Sequence, residues 1–366
     1  MSAPVPLGMV GGGEGAFIGA IHRIAARMDG QFRLVAGALS SDADRAAASA
    51  RGLGIARSYD DYRRMATQEA ARPDGIRAVA IVTPNHLHAP VAQAFLDAGI
   101  HVICDKPMTA TPQQARDLAD TVARSAARFF LTHNYCAHPM IREARAIVAE
   151  GGIGRLRLVQ AEYLQGWLAE DIRNKQADWR TDPARSGAGA IGDIGTHAWQ
   201  LAEFVTGETP SRLSAELSSM VAGRRVDDDA RIALRYASGA KGGLWVSQVA
   251  LGQEGGLSLR LFGTAGALEW RLQDPEYLAL TSPDGTRHIM TRARDRSASG
   301  RTPPGHPEGY LEAFANLYRD IAEVIRGDLT HLDRIPGLEA GLSGMAFIAA
   351  AQASSAQDGA WIEVRP

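Results

Sequence analysis

The hydrophobic pattern changes character about a third of the way along the chain. Up to residue 134, short apolar runs alternate with stretches of helical periodicity. "LGMV" (7–10), "FRLVAGAL" (32–39), "IRAVAIVT" (76–83), "HVIC" (101–104) and "RFFLTHN" (128–134) read as buried strands. Between them, "FIGAIHRIAARM" repeats Ile18, Ile21, Ala25 and Met28 at helical spacing, and "DADRAAASARGLG" is a helix stopped by glycine. "HAPVAQAFLDAG" is a further helix, and in "TPQQARDLADTVARSA" Thr111 stands as the N-cap with Pro112 in the first turn. Strand–helix alternation with short links predicts βαβ units and a parallel sheet.

Beyond residue 134 one helix, "HPMIREARAIVAEGG", precedes longer and more often alternating strands. These are "RLRLVQAEYLQGW", "DARIALRYASG", "AKGGLWVSQVAL", "GLSLRLFGT" and "GALEWRL". Strands that follow one another through turns predict a largely antiparallel sheet with one face open or covered by a partner. Two helices, around 310–327 and 338–355, are expected to pack back on the body. The stretch "TRARDRSASGRTPPGHPEG" (291–309) is the least regular and reads as a surface loop of the length that lids have.

The first βαβ unit carries the first chemical signal. "LGMVGGGEGAFIGAIHR" puts Gly11, Gly12, Gly13 and Gly15 directly after a strand and before a helix. That is the setting of a dinucleotide fingerprint, in which glycines let the backbone approach a pyrophosphate and the helix N-terminus offers free N–H groups. Gly11-x-Gly13-x-x-Ala16 fits the pattern, with Phe17 and Ile18 opening the helix, while Gly15 and Gly19 also suit it. A tight turn without a ligand is the plainer alternative. The expected fold class is therefore α/β: a dinucleotide-binding domain over 1–133, then an α/β domain over 134–366 with an open, mostly antiparallel sheet. After the second strand an acidic residue selects NAD and basic residues select NADP. Here Ser40 and Ser41 occupy the turn, with Asp42 beyond and Arg45 later, so NAD is favoured and NADP is not excluded.

Composition sharpens one position. Of 39 Lys plus Arg, only Lys106, Lys175 and Lys241 are lysines, which leaves 39 − 3 = 36 arginines. Lys106 lies in "HVICDKP", at the carboxyl end of the fourth strand, and Thr83, Pro84, Asn85 and His88 follow the third. Ligands of open α/β sheets bind outside those ends. An ammonium there donates to a substrate hydroxyl or polarises a carbonyl, and unlike guanidinium it can exchange a proton. Drift is the competing account.

"SGAGAIGDIGTHAWQLAEFVTG" (186–207) spaces Asp193 and His197 four apart, on one face of a helix. A carboxylate beside an imidazole suits a general base that takes a proton from an alcohol. A helix cap with a structural histidine fits the same spacing, and two ligands are too few for a metal site. "YLQGWLAEDIRNKQADWRTDPARSG" (163–187) gathers Gln165, Trp167, Asn174, Lys175, Trp179 and Arg180 in a loop-like stretch. Indole faces and hydrogen-bonding tips hold sugars in this way, although core tryptophans in a folded loop would read alike. Tyr135 follows the fifth strand and is placed to face the same crevice. His306, in "GHPEGY", is a weaker candidate that also suits a helix cap.

The bulk numbers exclude more than they assign. With 45% hydrophobic and 22% charged residues the 366-residue chain suits two globular domains. A net charge of −2 gives no reason to expect nucleic acid as partner. Cys104 and Cys136 form neither a disulfide framework nor a metal motif. No apolar run approaches a membrane span and the first residues do not resemble a signal peptide, so a soluble, cytoplasmic protein is expected.

Taken together, "VTPNHLHAPVAQAFLDAGIHVICDKP" and "GDIGTHAWQL" resemble the Gfo/Idh/MocA family of sugar and polyol oxidoreductases, essentially over the whole chain. "GGGEGAFIGAIHR", "NKQADWRTDP" and "HPEGYLEAFANLY" are similar to its branch of levoglucosan and glucoside 3-dehydrogenases. The resemblance implies a Rossmann domain, a C-terminal domain whose open sheet often serves oligomerisation, and Lys106, Asp193 and His197 as the catalytic trio. It further implies that His197 moves the proton, Lys106 orients or polarises the reacting oxygen and Asp193 positions the substrate. The expected reaction is reversible NAD(P)-linked oxidation of a secondary hydroxyl of a sugar, anhydrosugar, glycoside or inositol by a homodimer or homotetramer. An NAD-dependent glycosidase with transient oxidation and a cofactor-sensing regulator are the rivals. Two departures stand out: Asp105 replaces the family's glutamate before Lys106, and the glycine loop carries about three extra residues.

Overall fold

The computed structural model describes residues 3–294, 296 and 299–365. The chain divides into two compact units, Met1–Asn134 with Tyr310–Leu342, and Tyr135–Gly309 with Ser343–Pro366.

The first unit is built on six parallel strands: β1 (Val5–Gly11), β2 (Phe32–Ala38), β3 (Arg57–Ser58), β4 (Ala78–Val82), β5 (His101–Cys104) and β6 (Phe129–Leu131). Their order is β3-β2-β1-β4-β5-β6, so the chain reverses its direction of travel across the sheet between β1 and β4. All five residues of β4 are buried, as expected of a central parallel strand covered on both faces. Helices Ala43–Gly52, Tyr62–Ala70 and Pro112–Arg124 begin at Asp42, Asp61 and Thr111, whose side chains accept from Arg45 N, Arg64 N and Gln114 N. Helix Tyr310–Ile325 packs on helix Phe17–Met28, with His22 set against Phe314 and Tyr318. The pair β3 and helix Tyr62–Ala70 have no counterpart in the hydrophobic pattern. Two residues are too few to show alternation, and the helix is rich in polar side chains.

The second unit holds β7 (Leu156–Leu164), β8 (Pro210–Ser218), β9 (Asp229–Tyr236), β10 (Lys241–Ser247), β11 (Gly256–Gly263), β12 (Ala267–Arg271), β13 (Tyr277–Thr281), β14 (Arg287–Thr291) and β15 (Ile362–Glu363). They form one sheet in the order β14-β13-β12-β11-β7-β10-β9-β8-β15, antiparallel at every pair except β7 and β10. Helices Pro139–Ala149 and Thr196–Thr206 cover one face. The other face shows alternating polar and large side chains. Leu158 and Phe262 sit directly opposite each other and are 50% and 39% exposed. Strands β8, β13 and β14 escape the sequence reading because they are edge-proximal and mixed in polarity. The stretch 163–187, read as loop, contains the short helices Lys175–Arg180 and Pro183–Ser186. Part of 291–309 lies outside the described residues. Within the rest, Arg292 is buried and donates to Glu276 and to the carbonyls of Thr302 and His306, so the segment has a fixed base.

Candidate active site

Parallel pairing brings the carboxyl ends of β1, β4 and β5 to one edge of the first sheet. Gly11 ends β1, Thr83 and Pro84 follow β4, and Asp105 and Lys106 follow β5. At that edge Gly11, Gly12 and Gly15 have φ of +79°, +72° and +72°. A Cβ on Gly13 would stand 2.7 Å from the Leu39 carbonyl oxygen, and one on Gly19 would stand 2.5 Å from Gly12 Cα. The close packing of helix on loop therefore falls to Gly19, inside the helix, rather than to Ala16, which the spacing Gly11-x-Gly13-x-x-Ala16 assigns to it. Ala16 is instead the extended residue that leads into the helix, with its N–H on the Gly13 carbonyl at 3.1 Å. Helix Phe17–Met28 has no side-chain cap and no acidic residue in its first turn. Its first N–H groups are thus not taken up by a side-chain cap, as a pyrophosphate cradle requires. Phe17 is exposed beside them and Ile18 partly so. Arg23, which the sequence reading passed over, reaches back to hold the Gly12 carbonyl at 2.6 Å.

The selector turn is spoken for in part. Asp42 Oδ1 accepts the Arg45 N–H at 2.8 Å as a helix cap, and Ser40 Oγ accepts from Asp42 N at 3.2 Å. Asn85 is buried in the turn after β4. His88, expected among the cofactor contacts, is buried with both ring nitrogens on backbone carbonyls, so it serves the framework of the site. Lys106 is partly exposed. Its own N–H is held by Asp105 Oδ1 at 2.9 Å, which also accepts from Thr132 Oγ1 at 3.1 Å.

In the second unit Asp193 and His197 are on one continuous helical run, but not on a uniform α-helix. Ile191–Gly195 is a π-turn that passes into helix Thr196–Thr206. Such turns are rare and are common at functional sites. The turn is pinned by Asp227, a partly buried residue that accepts the N–H groups of Gly189 and Ile191 at 2.9 and 2.7 Å. Burial raises the Asp227 pKa, against the pull of those two bonds. Asp193 Oδ2 takes Arg180 Nε at 3.1 Å and Gln248 Nε2 at 2.8 Å. Arg180 lies over the Trp179 ring at 4.3 Å and within 5.9 Å of Trp167, whose indole N–H donates to Gln165 Oε1. Gln165, Trp167, Trp179, Arg180 and Asp193 thus form one connected set.

His197 is nearly buried, with the Tyr135 ring edge-on at 4.8 Å and the Tyr163 ring at 6.1 Å. The Tyr135 and Tyr163 hydroxyls share a 2.6 Å hydrogen bond. Burial, together with the charge of Asp193, pushes the Tyr163 pKa up to about 12. Tyr135, expected at the substrate, thus packs against His197. Lys175 is exposed at the start of its helix, and His306 is exposed with Nδ1 turned to the Pro303 carbonyl at 3.3 Å. Gln248, Asp227 and Tyr163 carry no local signal. They read as a strand end, an acidic turn and the inward face of a strand.

Comparison with known proteins is consistent with this geometry. The family model described as an oxidoreductase family with an NAD-binding Rossmann fold matches residues 5–133, and that of the GFO/IDH/MocA C-terminal domain matches 141–269. An oxidoreductase from Sinorhizobium meliloti is 47% identical with a TM-score of 0.91, covering 99% of this chain and 100% of that one. An inositol dehydrogenase homolog from Azotobacter vinelandii, complexed with NADH and myo-inositol, is 34% identical with a TM-score of 0.92, covering 99% and 98%. Levoglucosan dehydrogenase of Pseudarthrobacter phenanthrenivorans is 30% identical over 83% of this chain and 81% of its own length. The chain belongs to the Gfo/Idh/MocA family of oxidoreductases, with an NAD-binding Rossmann domain.

Proposed function

We propose that this chain is a dehydrogenase that oxidises a secondary hydroxyl of a sugar, anhydrosugar, glycoside or inositol to a ketone, reversibly and with NAD. The observation that carries the reading is the pairing of a nearly buried His197 with an Asp193 whose carboxylate is fixed by Arg180 and Gln248. The substrate class is supported by levoglucosan dehydrogenase and by the inositol dehydrogenase homolog with myo-inositol.

NAD, when bound, supplies the hydride acceptor. Gly11, Gly13, Gly15, Ala16, Phe17 and Ile18 would hold its pyrophosphate, Ser40 and Asp42 would meet its ribose, and Thr83, Pro84, Asn85 and Lys106 would line the end nearest the chemistry. His197 takes the hydroxyl proton as the C–H bond breaks and returns it in the reverse direction. Lys106 donates to the same oxygen and offsets its developing charge. Asp193 orients a neighbouring hydroxyl, and Gln165, Trp179 and Arg180 shape the sugar site. Alignment of these groups supplies much of the rate.

The protein is further proposed to be a cytoplasmic homodimer or homotetramer, formed through the open face of the nine-stranded sheet. Paired, exposed Leu158 and Phe262 support this. No described helix is long and apolar enough to cross a membrane.

The test follows reduced cofactor with NAD and NADP against levoglucosan, glucose, simple glucosides and inositols. The variants Lys106→Ala and His197→Ala are expected to lose about a hundredfold or more in turnover. Near-normal turnover in either overturns its role. Glycoside hydrolysis without net reduced cofactor would favour a glycosidase.

A further inference from the structure

His88 is the first residue of helix His88–Asp97 and is 1% exposed. Its Nδ1 stands 2.8 Å from the Pro107 carbonyl oxygen, and its Nε2 stands 2.9 Å from the Thr83 carbonyl oxygen. Pro107 follows Lys106. Thr83 abuts the glycine loop, since a Cβ on Gly11 would meet Thr83 Cγ2 at 2.9 Å. One buried ring therefore joins the segment that carries Lys106 to the segment against which the loop turns.

A neutral imidazole has one N–H and one lone pair, so it donates to one of these carbonyls and not to both. Burial lowers the pKa of the ring, and Lys106 acts in the same sense, against Asp105 and the two carbonyls. Asp105, Lys106 and His22 are the titratable groups whose charge reaches it. At neutral pH the ring is neutral, and its single proton must serve one side. The two sides are not equal. Thr83 directly follows β4, which pairs with β1 and β5. The Lys106 segment has left the ladder: Asp105 N still reaches the Ile81 carbonyl, Lys106 N is on the Asp105 side chain, and proline has no N–H. The Pro107 carbonyl is the only backbone hydrogen-bonding group that residue has.

We propose that His88 is a positioning residue for Lys106, with Nδ1–H donating to the Pro107 carbonyl. This rests on the reading of Lys106 as catalytic. Acidification adds the second proton and the bond to Thr83, so the join tightens at low pH without moving the first bond.

Two variants separate the two bonds. The amide nitrogen of asparagine stands near the place of Nδ1, and that of glutamine near the place of Nε2. His88→Asn is expected to keep kcat within about threefold, and His88→Gln to lose about ten- to hundredfold, as a misplaced catalytic group does. KM for NAD should move less than kcat in His88→Gln, because the glycine loop carries none of the substituted bonds. Nitrogen-15 NMR of the wild-type ring at neutral pH should show the proton on Nδ1. Equal kcat in the two variants, or a proton on Nε2, overturns the proposal, and the wild-type spectrum decides even where a variant fails to fold. A Lys106→Ala enzyme with normal turnover sinks the reading beneath it. A dead Lys106→Ala beside an unimpaired His88→Gln sinks only this one.

Discussion

Replacing Gly19 by alanine tests the cradle at its tightest point. The added Cβ would lie 2.5 Å from Gly12 Cα and 2.9 Å from the Gly12 carbonyl oxygen. Both are backbone atoms, and ordinary carbon contacts begin at roughly 3.5 Å. Helix and loop must therefore part by about 1 Å. Gly12 has little room to yield, because a Cβ of its own would already meet Val82 Cγ2 at 2.9 Å. Overpacking of this kind costs roughly 1–3 kcal/mol. Alanine regains about 1 kcal/mol of helix propensity over glycine. The net loss of stability is therefore small, and the effect concentrates in the ligand. An N–H···O bond displaced by about 1 Å from its usual distance is no longer a hydrogen bond. Losing one bond to a charged phosphate costs roughly 1.5–3 kcal/mol, which weakens NAD binding about ten- to hundredfold. The assay is NADH titration by fluorescence, with a thermal melt as control and Ala16→Gly as the companion variant. Ala16→Gly is expected to bind within a few-fold of wild type. Wild-type affinity in Gly19→Ala, or a larger loss in Ala16→Gly, would refute the assignment of the close-packing role to Gly19.

Asp227→Asn leaves one amide oxygen for two N–H donors, so one buried N–H of the π-turn is orphaned. A loss of roughly 1–3 kcal/mol on denaturant unfolding is expected, with a fall in kcat larger than the change in KM for NAD. A kcat equal to wild type would separate Asp227 from the aim of Asp193 and His197. Acid should weaken the fold through three buried histidines. Burial lowers His22 to about 4 and His133 and His138 to about 3. Their folded pKa values lie below that of free imidazole, so unfolding takes up protons. Their contribution is complete above about pH 6.5 and is lost as pH falls toward 4 and then 3, roughly 2 kcal/mol per ring by pH 5. Melts at pH 7 and pH 5 measure it, and equal stability at the two would show that the rings are charged in the native state.

What the sequence disclosed follows the range of the interactions. Thr111, Pro112, the glycine run and the helix Phe17–Met28 act over a few residues, and their signatures lie in adjacent letters. Lys106 is legible for a different reason, as a lysine in a chain that writes nearly every cation as arginine, and Asp193 and His197 are legible from their four-residue helical spacing. The groups that aim them leave no such mark. Gln248 reaches Asp193 across 55 residues, and Asp227 reaches Ile191 across 36. His88 illustrates the same limit from the other side. Its type and place invited a cofactor contact, yet the fold turns both nitrogens inward, to carbonyls 19 and 5 residues away. A polar residue near a strand end can face a ligand or hold the loop that does. Only the direction of its hydrogen bonds decides, and that is a property of the packed chain. The letters proposed to carry the chemistry are readable because chemistry restricts residue type. The positioning letters are not, because geometry can be supplied by any residue that reaches.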